Sequence, residues 1–289
     1  MHTLKNSLIE IAIKDIGAEL ISIKRNGNEY LWQGDSAFWG GQAPILFPFV
    51  GRLKNDTYTY KGKNYSLPQH GFFRRSSNIK LDKTEKNKLT FLLRESDETL
   101  KKYPFRFEFR TSYEIQENKI IIHHKITNPG KEKMYFSVGE HPAFMCSLKQ
   151  EKSSFENCYL EFENKETADI HLIENGLIGH KTEKILENQN ILNLQKNSFD
   201  RDALVIKKMN SKKVSLINKQ EGKLVTLTYP DFPYLGIWSK PKAPFVCIEP
   251  WLGIADGVDS SQKLEEKEGI ILLGSEKEFN CSYSIEIHA

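Results

Sequence analysis

The 289 residues are 39% hydrophobic and 11% aromatic, enough to bury a large core. A net charge of +3, from 41 basic and 38 acidic residues spread along the chain, leaves no basic arm for nucleic acid and no polybasic membrane patch. The apolar runs are too short to span a bilayer, and the first fifteen residues lack a signal-peptide core.

Alternation with a period of two recurs along most of the chain, so β-strands are expected. Residues 7–32 read as two or three strands with turns near Gly17 and at Asn26-Gly27-Asn28. A hairpin is expected around Lys61-Gly62-Lys63, and a short helix over 96–103 with Ser96 or Asp97 as its N-cap. Long strands at 105–115 and 119–128 flank Glu117-Asn118, and Asn128-Pro129-Gly130 turns the chain. The stretch 163–200 is polar and weakly periodic, and is expected to carry loops or short excursions. Later strands are expected at 202–209, 213–218, 223–228, 235–238, 245–248, 270–273 and 279–287. No linker or low-complexity tract divides the chain. The pattern predicts an all-β fold, a large antiparallel sandwich or two sheets curled over one core, as a single domain over 1–289.

Four scattered cysteines (Cys146, Cys158, Cys247, Cys281) form no Cys-x-x-Cys pair, so neither a zinc site nor a disulfide framework is indicated. A cytoplasmic protein with reduced thiols follows. P-loop, dinucleotide-binding, nucleophile-elbow and His-Glu-x-x-His motifs are absent, which leaves acid–base chemistry without a cofactor.

Most histidines read as terminal or solvated. His123 and His124 are adjacent in a strand and must face opposite ways. His70, in the turn "LPQHGFFRR", and His141, before Pro142 in "FSVGEHPAF", are placed where a side chain can be presented, though either can be structural. Arg52 leaves an apolar run and needs acceptors, from a protein carboxylate or from sugar hydroxyls or a phosphate. Glu249 follows the buried-looking strand Phe245 to Ile248. It is either a carboxylate with a raised pKa, suited to a general base, or one member of a salt bridge. Trp39, Phe47, Trp238 and Trp251 are core rings or cover the apolar face of a sugar.

Five segments in order, "APILFPFVGRLKN", "LPQHGFFRR", "FSVGEHPAF", "FDRDALVI" and "PFVCIEPWLGIADG", resemble the aldose 1-epimerase (galactose mutarotase-like) superfamily. The chain looks closest to its LacX-like branch, related to hexose-6-phosphate mutarotases. The resemblance covers essentially the full length. It implies a β-supersandwich with an open sugar cleft. It also implies Glu249 as general base, His141 as general acid on the ring oxygen, and His70 and Arg52 as sugar contacts. A sugar-binding aspartate is implied at Asp202, with Asp200 the alternative. Two departures bear on the sugar: Val-Gly-Glu-His-Pro-Ala-Phe replaces a Thr-Asn-His-x-Tyr type segment, and Gly-Phe-Phe-Arg follows His70. Arg74 or Arg75 could therefore hold a phosphate.

The implied reaction is mutarotation, the interconversion of α and β anomers of a hexose or hexose phosphate. The expected partner is a small sugar or sugar phosphate, not nucleic acid or membrane, and the protein is expected to be a monomer or homodimer. Pro142 is expected to end a strand so that His141 faces the cleft, with Glu140 structural. A non-catalytic sugar-binding or sensing protein is the alternative. A hydrolase is disfavoured, because hydrolysis usually calls for two opposed carboxylates.

Overall fold

The computed structural model describes residues 1–149 and 155–288. Its main feature is an antiparallel sheet of fifteen strands, which runs from Ile45–Leu46 at one edge to Lys80–Glu85 at the other. Four short N-terminal strands, His2–Lys5, Glu10–Ile13, Leu20–Arg25 and Asn28–Glu29, form a second sheet. Both contribute to one core: Ile11, Ile13 and Ile23 join Phe91, Ile120, Ile122 and Ile285.

The alternation read from sequence is physical. In Lys119–Thr127 every second residue (Ile120, Ile122, His124, Ile126) is buried. That strand pairs with Glu108–Gln116 through the turn at Glu117, whose φ of 52° is left-handed. The helix Asp97–Lys102 has Ser96 as N-cap, in a capping box closed by Thr99. Phe47 belongs to the core and not to a cleft. It is fully buried and packs against Tyr103, Phe107 and Phe109, with ring centroids 4.9–5.9 Å away.

Two expectations need correction. The polar stretch 163–200 carries loops only at its end: Cys158–Glu174 and Leu177–Asn193 are strands of 17 residues each, joined at Asn175-Gly176, and turns follow over 194–200. Register shifts between Glu161 and His171 break the period of two, which is why the stretch looks weakly periodic. The strand before Glu249 also does not stop at Ile248. It continues through Pro250 as Phe245–Leu252.

Candidate active site

The strand Phe245–Leu252 carries Glu249 and is flanked by two others. On one side lie the short strands Val138–Glu140 and Ala143–Met145. Gly139 stands opposite Trp251, and Ala143 stands opposite Cys247. The register is the same on both sides of the break, so His141, inside the break, falls opposite Glu249. Neither Pro142 nor Pro250 has a backbone N–H, so two ladder donors are missing where the pairing lapses. The Ile248 N–H still donates to Pro142 O at 3.2 Å. Pro142 therefore interrupts a strand that resumes at Ala143, instead of ending it.

This register brings His141 Nε2 to 3.3 Å from Glu249 Oε2. The pair lies at the floor of a cavity of about 260 Å³. Glu249 is only 1% exposed and His141 8%. Burial raises the Glu249 carboxyl well above the ordinary carboxylate range. The indole N–H of Trp251 and the charge of Arg74 pull it back, while Asp202 adds to the rise. Burial, reinforced by the positive charge of Arg74, lowers the His141 imidazole to about 3. Both shifts favour the uncharged form of each group. Trp39 stacks on the His141 ring at 4.8 Å, and Trp238 meets it edge-on at 5.8 Å. Glu140 points away from the cavity. His124 Nε2 lies 2.6 Å from one of its carboxylate oxygens, and the Tyr283 hydroxyl donates to the other at 2.8 Å.

The other candidates fall into two groups. His70, Arg74, Asp202 and Trp251 line the cavity with Glu249 and His141. The His70 Nδ1 accepts from the Gly51 N–H at 3.1 Å, which puts the ring proton of the neutral imidazole on Nε2. Burial, then the charges of His141, Arg74 and Arg75, lowers the His70 pKa well below 6.5. A proton on Nε2 makes this ring a donor towards the cavity; the nearby Gln69 amide nitrogen, 3.3 Å away, cannot accept it. The Arg74 guanidinium has no hydrogen bond or ion pair with any described residue, and burial lowers its pKa. Arg75 instead donates to Gly71 O at 3.2 Å, outside the cavity. Asp202 sits in a left-handed conformation (φ 81°) between this cavity and an outer groove, whereas Asp200 lines only the groove. The indole of Trp251 lies between two glycines: a Cβ on Gly139 or Gly236 would come within 2.8 or 2.4 Å of it.

Arg52 stands apart. It donates from Nε and Nη2 to the two carboxylate oxygens of Asp56, each at 2.9 Å, and does not line the cavity. Its acceptors are those of a protein carboxylate, and its Nη1 donates to Asn175 O at 3.3 Å. Sequence reasoning missed Gln69 and the hairpin tip, where Ile173, Gly176 and Ile178 form part of the wall. The Asn-Gly pair at 175–176, a strong hairpin signal, could have revealed the tip. Three side chains could hold a metal ion: ligand atoms of His141, Cys247 and Glu249 lie within 4.8 Å of one another.

A family model described as aldose 1-epimerase matches residues 1–268. The chain is 36% identical over 275 residues to the chromosomal LacX protein of Lactococcus lactis subsp. lactis, covering 91% of each. A galactose mutarotase related enzyme from Lactobacillus acidophilus has the same architecture, with a TM-score of 0.94 and 36% identity. The match covers 100% of this chain and 97% of that one. A galactose mutarotase-like protein from Lactobacillus casei ATCC 334 gives 0.93 and 31%, with both chains covered fully. A galactose 1-epimerase from Lactobacillus acidophilus NCFM shares the fold at a TM-score of 0.70 and 13% identity, covering 99% and 93%.

Proposed function

Because the chain belongs to the aldose 1-epimerase family, we propose that it interconverts the α and β anomers of a hexose or hexose phosphate by acid–base ring opening. The contact between Glu249 and His141 carries this reading. Mutarotation handles two oxygens, the anomeric hydroxyl and the ring oxygen, and both are bonded to one carbon. Acid and base must therefore stand side by side, and 3.3 Å is such a spacing.

Sugar hydroxyls that donate to the Glu249 carboxylate favour its charged form, and the proton of the pair then belongs on His141 Nε2. Glu249 then takes the proton of the anomeric hydroxyl, and His141 protonates the ring oxygen as its bond to the anomeric carbon breaks. The open aldehyde turns about its first carbon–carbon bond and closes on the other face, with both transfers reversed. His70 Nε2–H and Asp202 would orient hydroxyls, and Trp251 would cover an apolar face of the ring. Arg74, a cation with no hydrogen bond or ion pair among the described residues, would meet a phosphate or a hydroxyl-rich edge.

Glu249→Gln and His141→Asn should each slow anomer exchange, followed by polarimetry or NMR, by about 100-fold or more. Near-wild-type exchange in both variants would refute the assignment. Sugar binding without exchange in the unmodified protein would make it a binding protein instead. A panel of hexoses and hexose 6-phosphates identifies the substrate. Arg74→Met should raise KM for the phosphorylated sugar alone if that is the substrate.

A further inference from the structure

We propose that the face carrying the Glu249–His141 pair also takes an exchangeable thiophilic divalent cation, Zn²⁺ or Cd²⁺, through Cys247, Glu249 and His141, and that the cation closes the site to the sugar. The strand geometry puts these three groups together. Cys247 and Glu249 are two apart in Phe245–Leu252 and share a face. His141 stands opposite Glu249, and Cys247 is its diagonal neighbour, paired with Ala143. All three ligand atoms lie within 4.8 Å of one another, and the His141–Glu249 contact is 3.3 Å. A tetrahedral zinc with Zn–N and Zn–O bonds near 2.0–2.1 Å and Zn–S near 2.3 Å separates its ligand atoms by roughly 3.3–3.7 Å. The 4.8 Å span is wider than that, so side chains must rotate to close on the ion.

The ligand chemistry selects the ion. One sulfur, one imidazole nitrogen and one carboxylate oxygen suit zinc or cadmium and not the all-oxygen ions. Bound as thiolate, carboxylate and neutral imidazole, the three ligands and a dication sum to zero charge, which a buried site tolerates. The fourth position would face the cavity, which His141 and Glu249 line; Cys247 is fully buried and does not line it. Resident metal sites fix each histidine through its second nitrogen. Among the described residues His141 Nδ1 has no hydrogen-bond partner, so the geometry fits a reversible inhibitor better than a permanent cofactor. A bound ion would occupy both proton-transfer groups at once.

The test is titration of the full chain with CdCl₂ alone, read by thiolate-to-cadmium charge-transfer absorption, and with ZnCl₂, read by anomer exchange. One equivalent of Cd²⁺ should give the band, and Zn²⁺ should stop exchange until a chelator restores it. Cys247→Ser and Cys247→Ala should lose the band and need at least about tenfold more Zn²⁺ for half-inhibition. Their exchange without metal should be unchanged, which also shows that they fold. All four cysteines are buried, so Cys146, Cys158 and Cys281 serve as internal controls of equal burial. No band in the unmodified protein, or a band and inhibition that persist in both variants, overturns the proposal. A Cd²⁺ band that depends on Cys247 in a protein with no anomer exchange supports the metal site and sinks only the mutarotase reading.

Discussion

Glu249 holds its proton more tightly in the folded chain than in the unfolded chain. Its folded pKa is raised above 4.5, so the folded state binds more protons above that value. Stability from this group is therefore greatest below about pH 4.5 and falls as pH rises towards the folded pKa. Glu249→Gln removes the titration. Its melting temperature should exceed the wild-type value at neutral pH, with the gap closing in acid, while anomer exchange is lost. His141 has the opposite sign. Its pKa falls from 6.5 to about 3, so the unfolded chain takes up a proton that the folded chain refuses as pH drops through that window. The resulting loss is roughly 2 kcal/mol at pH 5. His141→Asn should be less sensitive to acid, as urea unfolding at pH 5 and pH 7 would measure. Equal pH dependence in wild type and variant would contradict the burial argument.

At the scale of strands, the site depends on neighbours that never touch a substrate. Glu140 turns away from the cavity and is bound by His124 and Tyr283, which anchors the short strand that ends beside His141. Glu140→Ala leaves a buried histidine and hydroxyl without their acceptor and should cost about 3–5 kcal/mol in chemical denaturation. Trp251 needs the empty space above two glycines. In Gly236→Ala the added methyl would sit 2.4 Å from the indole, so the ring must shift. Sugar affinity should fall and tryptophan fluorescence should change, and an unchanged spectrum with unchanged KM would show that the ring had not been held there. Single segments were legible at this scale: the helix and its cap, the hairpin at Gly62, and the turn presenting His70. Pro250 inside a strand was not, because the usual rule places proline at edges or bulges. The 17-residue hairpin strands were not, because bulges scramble their alternation.

Across the whole molecule, the fold class was readable because alternation is a local signal repeated many times. The pairing of His141 with Glu249 was not readable from the residues alone. It depends on the register between segments far apart in sequence, which no local pattern encodes. Family resemblance supplied it, and the ladder around Gly139 and Ala143 gives the physical reason. Arg52 illustrates the reverse: its four-residue spacing to Asp56 was visible, yet nothing local said that the pair would close on itself. The sheet's far edge, Lys80–Glu85, is exposed along its length and rich in charge, a composition that discourages pairing with other chains.

The hairpin tip at Asn175-Gly176 reaches the cavity wall from strands that lie mostly outside it. Ile178 N–H donates to Asp256 O, Val258 N–H donates to Ile178 O, and Arg52 donates to Asn175 O. These bonds are to main-chain atoms, so they constrain where the tip sits but not which side chains it carries. Ile178 belongs to the apolar cluster of Trp251, and Ile173 packs against it, so exchanging either alters the wall beside that indole. Under the proposed reaction the tip would serve as a gauge, setting how bulky a guest the chamber admits.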